Sequence, residues 1–109
     1  MANTFKLKTK ASVGVTTVGI YTAPAATTTV VIGITLSNTS GSGVNVGVGI
    51  TRAGTTEDVK LLKNAPIPQG SSLEFMGGNK VVLETTDTLT VDSDTNNSVD
   101  AALTIMEIT

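Results

Sequence analysis

Histidine, cysteine and tryptophan are all missing from this chain. Without histidine, the commonest general base near neutral pH and the commonest zinc ligand are gone. Without cysteine there are no disulfides to staple the fold and no clue to redox compartment. Aromatic residues are scarce: Phe5, Tyr21 and Phe75 make up the whole set. The core must then be aliphatic and closely packed. Charged residues account for 15% of the chain, against about 25% in an ordinary soluble domain. A surface so poor in charge is either neutral and threonine-rich or covered by neighbours. No apolar run is long enough to span a membrane as a helix. The N-terminal segment lacks the apolar core of a secretory signal, so the simplest expectation is synthesis in a cytoplasm.

What is present in quantity is threonine, valine, isoleucine and glycine. The β-branched members favour pleated strands over helices. The 109 residues make room for one domain. Phe5 to Ala11 alternates strictly: Phe5, Leu7, Thr9 and Ala11 share one side and Lys6, Lys8 and Lys10 the other. The expected strand buries the first set and shows its lysines to solvent. Ser12 to Thr17 reads as a turn, Val18 to Thr22 as a strand and Ala23 to Ala26 as a bend. In Thr27 to Asn38, the expected inner face is Val30, Ile32, Ile34 and Leu36. A loop follows to Gly43, then an alternating strand with Val44, Val46, Val48 and Ile50 inward.

Glu57 to Lys63 reads as a strand with Val59 and Leu61 inward, although a helical turn would also fit Glu57 to Leu62. Ala65 to Ser72, with Pro66 and Pro68, reads as a stiff connector. Leu73 to Met76 and Lys80 to Glu84 read as a hairpin turning at Gly77-Gly78-Asn79. Leu89 to Asp92 and Val99 to Ile108 close the chain around a polar loop. The expected fold is all-β: a single antiparallel β-sandwich domain over 1–109, jelly-roll or Ig-like, with about eight strands.

The charges are segregated. Lys6, Lys8, Lys10 and Arg52 precede every acidic residue, and after Lys80 every charge is acidic. Two arrangements follow: terminal strands that pair and neutralise each other within one subunit, or a basic strand facing a neighbour's acidic rim. The lysine stripe is therefore a candidate interface. The face carrying Gly47 and Gly49 is another, since strand glycines admit another backbone closely; a bulge within the sheet is the competing explanation. Pro66 and Pro68 complete the candidate contact surface.

A search for reactive groups finds little. A hydrolase would need paired carboxylates or a Ser-Lys pair, and Glu84 and Asp87, the nearest such pair, flank a bend. Asp92-Ser-Asp94-Thr-Asn96 begins like a calcium loop. It then departs, with Asn97 in place of the glycine and Leu103 in place of the bidentate glutamate; an Asx-rich turn explains it as well. The three lysines lack interleaved aromatics for nucleic-acid stacking, and the net charge is −2, opposite to a nucleic-acid footprint. Glycan binding has only Tyr21 to stack on a sugar. No enzyme, cofactor, nucleic-acid partner or membrane is expected.

Three segments carry a resemblance. Asn64-Ala-Pro-Ile-Pro-Gln-Gly-Ser-Ser-Leu leads into Gly77-Gly-Asn-Lys-Val-Val-Leu-Glu, the Tyr21 to Gly33 run precedes them, and Ser98 to Thr109 ends the chain. Together they resemble small virion proteins of tailed bacteriophages, particularly phages of aquatic bacteria. Where that pattern has Gly-Asp before a late strand, this chain has Thr86-Asp87. The resemblance implies a many-copy particle component made in the host bacterial cytoplasm and located in the virion. It implies capsid decoration or cementing, with the major capsid protein or other virion proteins as partners and a homo-oligomer, a trimer foremost. A head-tail, neck, tail or fibre accessory role is the alternative, with a host-surface glycan-binding module ranked after it.

Overall fold

The β-branched alternation folds into nine strands among the residues described by the computed structural model, 3–53, 57–75 and 80–109. They are β1 (Asn3–Val13), β2 (Val18–Thr22), β3 (Thr28–Asn38), β4 (Val44–Thr51), β5 (Asp58–Ile67), β6 (Ser72–Phe75), β7 (Val81–Leu83), β8 (Thr88–Ser93) and β9 (Val99–Ile108). Every pairing is antiparallel. One sheet runs β1-β9-β3-β6, with β7 also on β3, and the other runs β2-β8-β4-β5. The chain crosses from sheet to sheet at every connection except β4 to β5 and β6 to β7. This order is that of a jelly roll, two Greek keys wound across a sandwich.

The strand count reconciles with eight because β6 and β7 are successive lengths of one edge. Both pair antiparallel with β3, at Ile34–Ser37 and at Thr29–Val31, so they run in the same direction. The expected hairpin between them is thus corrected; Gly77, Gly78 and Asn79 themselves lie outside the described residues.

The core is aliphatic. Leu36, Leu83, Leu89, Leu103, Ile105 and Ile67 are fully buried between the sheets. β9 sets the pattern, with Val99, Ala101, Leu103, Ile105 and Glu107 all facing inward.

Bulges redirect β3, β5 and β1. In β3 the register slips between Val31 and Gly33. Thr29 and Val31 point inward before the slip, and Ile34 and Leu36 after it, while Val30 and Ile32 are only half-buried. The expected face of four residues is therefore split, because one extra residue exchanges the two sides of a strand. In β5, two irregularities bring Leu62 opposite Val48 and leave Val59 40% exposed, so Val59 and Leu61 do not form the inner pair expected of a regular strand. The strand also runs on through Pro66, opposite Asn45, where an edge position tolerates the missing N–H. The connector shrinks to a turn closed by the Ser71 N–H on the Pro68 carbonyl, 3.1 Å, with Gly70 at φ 73°, as a type II turn requires. In β1, a bulge between Lys10 and Val13 extends the strand past the expected turn and drops Val13 into the core.

Candidate assembly surface

β1 lies the other way over from its alternation. In its register with β9, Lys6, Lys8 and Lys10 sit opposite Ile105, Leu103 and Ala101, and Phe5 sits opposite Met106. Directly opposed residues share a face, so the lysines lie on the inner face and the apolar set on the outer one. Phe5 is 69% exposed and Leu7 64%. The cause is local. β1 is an edge strand, so its inner side overhangs the rim of the core, where long lysine stems can lie along apolar surface with the ammonium at the rim. A buried carboxylate waits there as a partner.

That carboxylate is Glu107. Its Oε1 is 2.8 Å from Lys6 Nζ, and its Oε2 accepts a 2.6 Å hydrogen bond from the Tyr21 hydroxyl. Tyr21 Oη is also 2.8 Å from Thr29 Oγ1. The Lys6 ammonium first, and the Tyr21 hydroxyl second, hold the Glu107 carboxyl below its ordinary pKa. Burial first, and the carboxylate second, push the Tyr21 phenol up to about 12. Terminal strands of opposite charge thus pair within one subunit. At the other end of β1, Asp100 accepts the Ser12 N–H at 2.9 Å.

The other candidates are engaged within the fold. A Cβ on Gly47 would meet Asp92 Oδ1 at 2.5 Å and the Leu62 carbonyl at 3.3 Å; one on Gly49 would meet the Val59 carbonyl at 2.9 Å. The irregular β5 backbone and neighbouring side chains therefore fill the space beside both glycines. Pro66 is in β5 and Pro68 opens the turn after it. Asp92 accepts from Thr17 Oγ1 at 3.0 Å and lies 3.9 Å from Lys60 Nζ. Asp94 accepts the Asn45 N–H at 3.1 Å, and Asn96 sits against Gly14. The three side chains thus serve separate neighbours, and among the described residues no cluster of three acidic groups could hold a metal. Asn97 has φ 50°, a conformation that Asn tolerates in place of glycine. Asp87, beside Glu84, is buried. Its carboxylate accepts the Glu84 N–H and pairs with the Arg52 guanidinium, so it locks the 84–87 turn.

What the strands bring together is the outer face of the five-stranded sheet. Phe5 opposes Met106, Met106 opposes Val30 and Val30 opposes Val82: one apolar row across four strands. Val82 is 53% exposed. Leu7, Thr104 and Gly33 form the next row, with Ile32 in the bulge beside it. Asn3, Ile108 and Thr28 lie on the other side. No strand residue in these three rows is charged. Among the strand residues of this face, Glu74, opposite Thr35, and Asp100, opposite Ser37, bring charge toward the far end. A shallow open depression lined by Ile32, Gly33, Thr35, Glu74, Ala102 and Thr104 lies between the two regions. The alternation of Phe5 and Leu7 was visible in the sequence; the side it would face was not.

No protein-family model and no curated protein matches the sequence. The fold is similar to that of a chain from Bacillus endospore appendages, which form disulfide-linked pili, with a TM-score of 0.57 and 16% identity over 99% of this chain and 87% of that one. It is also similar to a chain of an IBDV viral particle, with a TM-score of 0.59 and 13% identity over 96% of this chain and 30% of that one. A chain of the infectious bursal disease virus Gx strain gives a TM-score of 0.58 at 14% identity, over 96% of this chain and 32% of that one. This chain spans about a third of the length of those two viral chains. At such identities the likeness is one of fold.

Proposed function

We propose that this chain is a non-enzymatic structural subunit of a tailed-bacteriophage particle, a decoration or cement protein built into the shell through contacts of the outer face of its five-stranded sheet. The observation that carries this reading is the uncharged row Phe5-Met106-Val30-Val82, open on the outer face. A contiguous apolar patch rimmed by polar groups marks an interaction site more often than it marks a solvated surface. The similarity of fold to chains of a pilus and of viral particles supports a part that is built into an assembly. So does the virion-protein resemblance of the Asn64 to Leu73 and Ser98 to Thr109 segments. With no cysteine in the chain, its contacts with the major capsid protein or other virion proteins are non-covalent with respect to disulfides.

The test is a double variant, Phe5→Ser with Leu7→Ser. Both side chains already face solvent, so the isolated subunit should keep its stability to within about 0.5 kcal/mol. Its recovery with purified particles should fall by at least an order of magnitude. Undiminished recovery would remove this face from the assembly role.

A further inference from the structure

We propose that the outer face of the five-stranded sheet is self-complementary and joins two copies of this chain face to face. The inference rests on the same open face as the assembly reading and names its occupant.

One feature favours a second copy and another sets the strength of the contact. The first is the distribution of charge. The rows around Phe5, Met106, Val30 and Val82 carry no charged strand residue, while Glu74 and Asp100 lie toward the opposite end of the strands. A two-fold axis running along the apolar row sets that row on its own copy and carries the acidic ends away in opposite directions. Apolar surface meets apolar surface, and no like charges are forced together. The same residues contact each other from both sides, as an isologous interface requires.

The second feature is area. Three strands over about seven residues and β7 over its three, spaced by about 4.8 Å with about 3.3 Å per residue, define a patch of roughly 380 Å² per copy. Two copies would bury about 760 Å², below the range of roughly 1,200–2,000 Å² for stable specific complexes. The face therefore fits a weak pair that forms at high local concentration, the situation of a subunit present in many copies on one particle. An isologous contact closes two by two, so this contact is distinct from any threefold contact and would join one oligomer to the next.

Sedimentation equilibrium of the full chain over a wide concentration range tests the proposal. The expected result is a mass that rises from one chain to two. Met106→Asp, a change on the outer face, should hold the mass at one chain throughout, with unchanged circular dichroism and melting temperature. Val59→Asp, placed on the exposed part of β5 in the other sheet, should associate as the unaltered chain does. A constant one-chain mass for the unaltered protein would overturn the pairing, as would association of the Met106→Asp variant at unaltered strength. If Met106→Asp unfolds, Val82→Asp on the short edge strand β7 supplies the same comparison. Failure here leaves the particle reading standing, with the capsid as the occupant. Absence of the protein from particles would sink that reading and leave the pairing intact.

Discussion

Tyr21 is the one tyrosine in a chain without tryptophan, and it sits in the buried network that anchors β1. Its ionisation can thus be followed by tyrosinate absorbance without interference. The folded chain should titrate at about 12, and the chain in denaturant near about 10. A folded midpoint near the ordinary value would remove the Tyr21–Glu107 hydrogen bond from the account. Glu107 gives the complementary acid limb. Its carboxyl is held below the ordinary value in the fold, so the unfolded chain takes up its proton first as pH falls. The stabilisation is complete above about 4.3, the ordinary glutamate pKa, and is lost as pH drops through the lower folded value. Denaturant titrations of Glu107→Gln across that range should show a shallower acid loss of stability than the unaltered chain; a parallel loss would contradict the assignment. Thr86 offers a third residue-scale check. It is β-branched and holds φ 68°, where such residues are strained and glycine is not. Thr86→Gly should raise the melting temperature, and a lowered one would mean that the Thr86 side chain contributes more than its backbone strain costs.

At the scale of the element, alternation predicts where strands run but not always which side they bury. β9 and β8 read directly from the sequence because they lie inside their sheets, with apolar residues at every second position. β1 does not, because at an edge the inner side extends past the core and a buried carboxylate can hold a lysine there. β3 and β5 contain bulges, and a bulge leaves no mark in a run of β-branched residues. The pairing of β6 and β7 with β3 depends on long-range register, which the short local turn signal cannot supply. Of the candidate surface, Phe5 and Leu7 were legible as a stripe. Met106, Val30 and Val82 join them only through pairings between distant segments.

The lysine stripe changes meaning with this geometry. Charge reversal there would act first on the subunit, since Lys6→Glu sets two carboxylates side by side under β1. It should lower the melting temperature even in the absence of any partner; an unchanged value would place Lys6 free in solvent. The glycines of β4 make a sharper contrast. Gly49→Ala brings a Cβ to 2.9 Å from the Val59 carbonyl, backbone that must shift, and should cost about 1–3 kcal/mol in denaturant unfolding. Gly41→Ala meets nothing within 4 Å and should stay within about 0.5 kcal/mol. Equal effects would contradict the packing of β5 against β4.

On the scale of the whole molecule, a jelly roll turns its apolar residues inward and normally leaves a polar exterior. This one has buried polar locks at Glu107 and at Asp87, and a sheet whose outer face carries an apolar row across four strands. The first property ties β1 and the 84–87 turn to the rest of the fold without disulfides. The second leaves a face whose burial needs another molecule. Poor in charge and open on one apolar row, the subunit is suited to being added to a surface in many copies. The most direct measurement is the number of copies of this chain per purified phage particle, from quantitative mass spectrometry against the major capsid protein. The expected number is in proportion to the capsid lattice. Absence from the particle, or a count matching a single ring at the neck or tail, would contradict it.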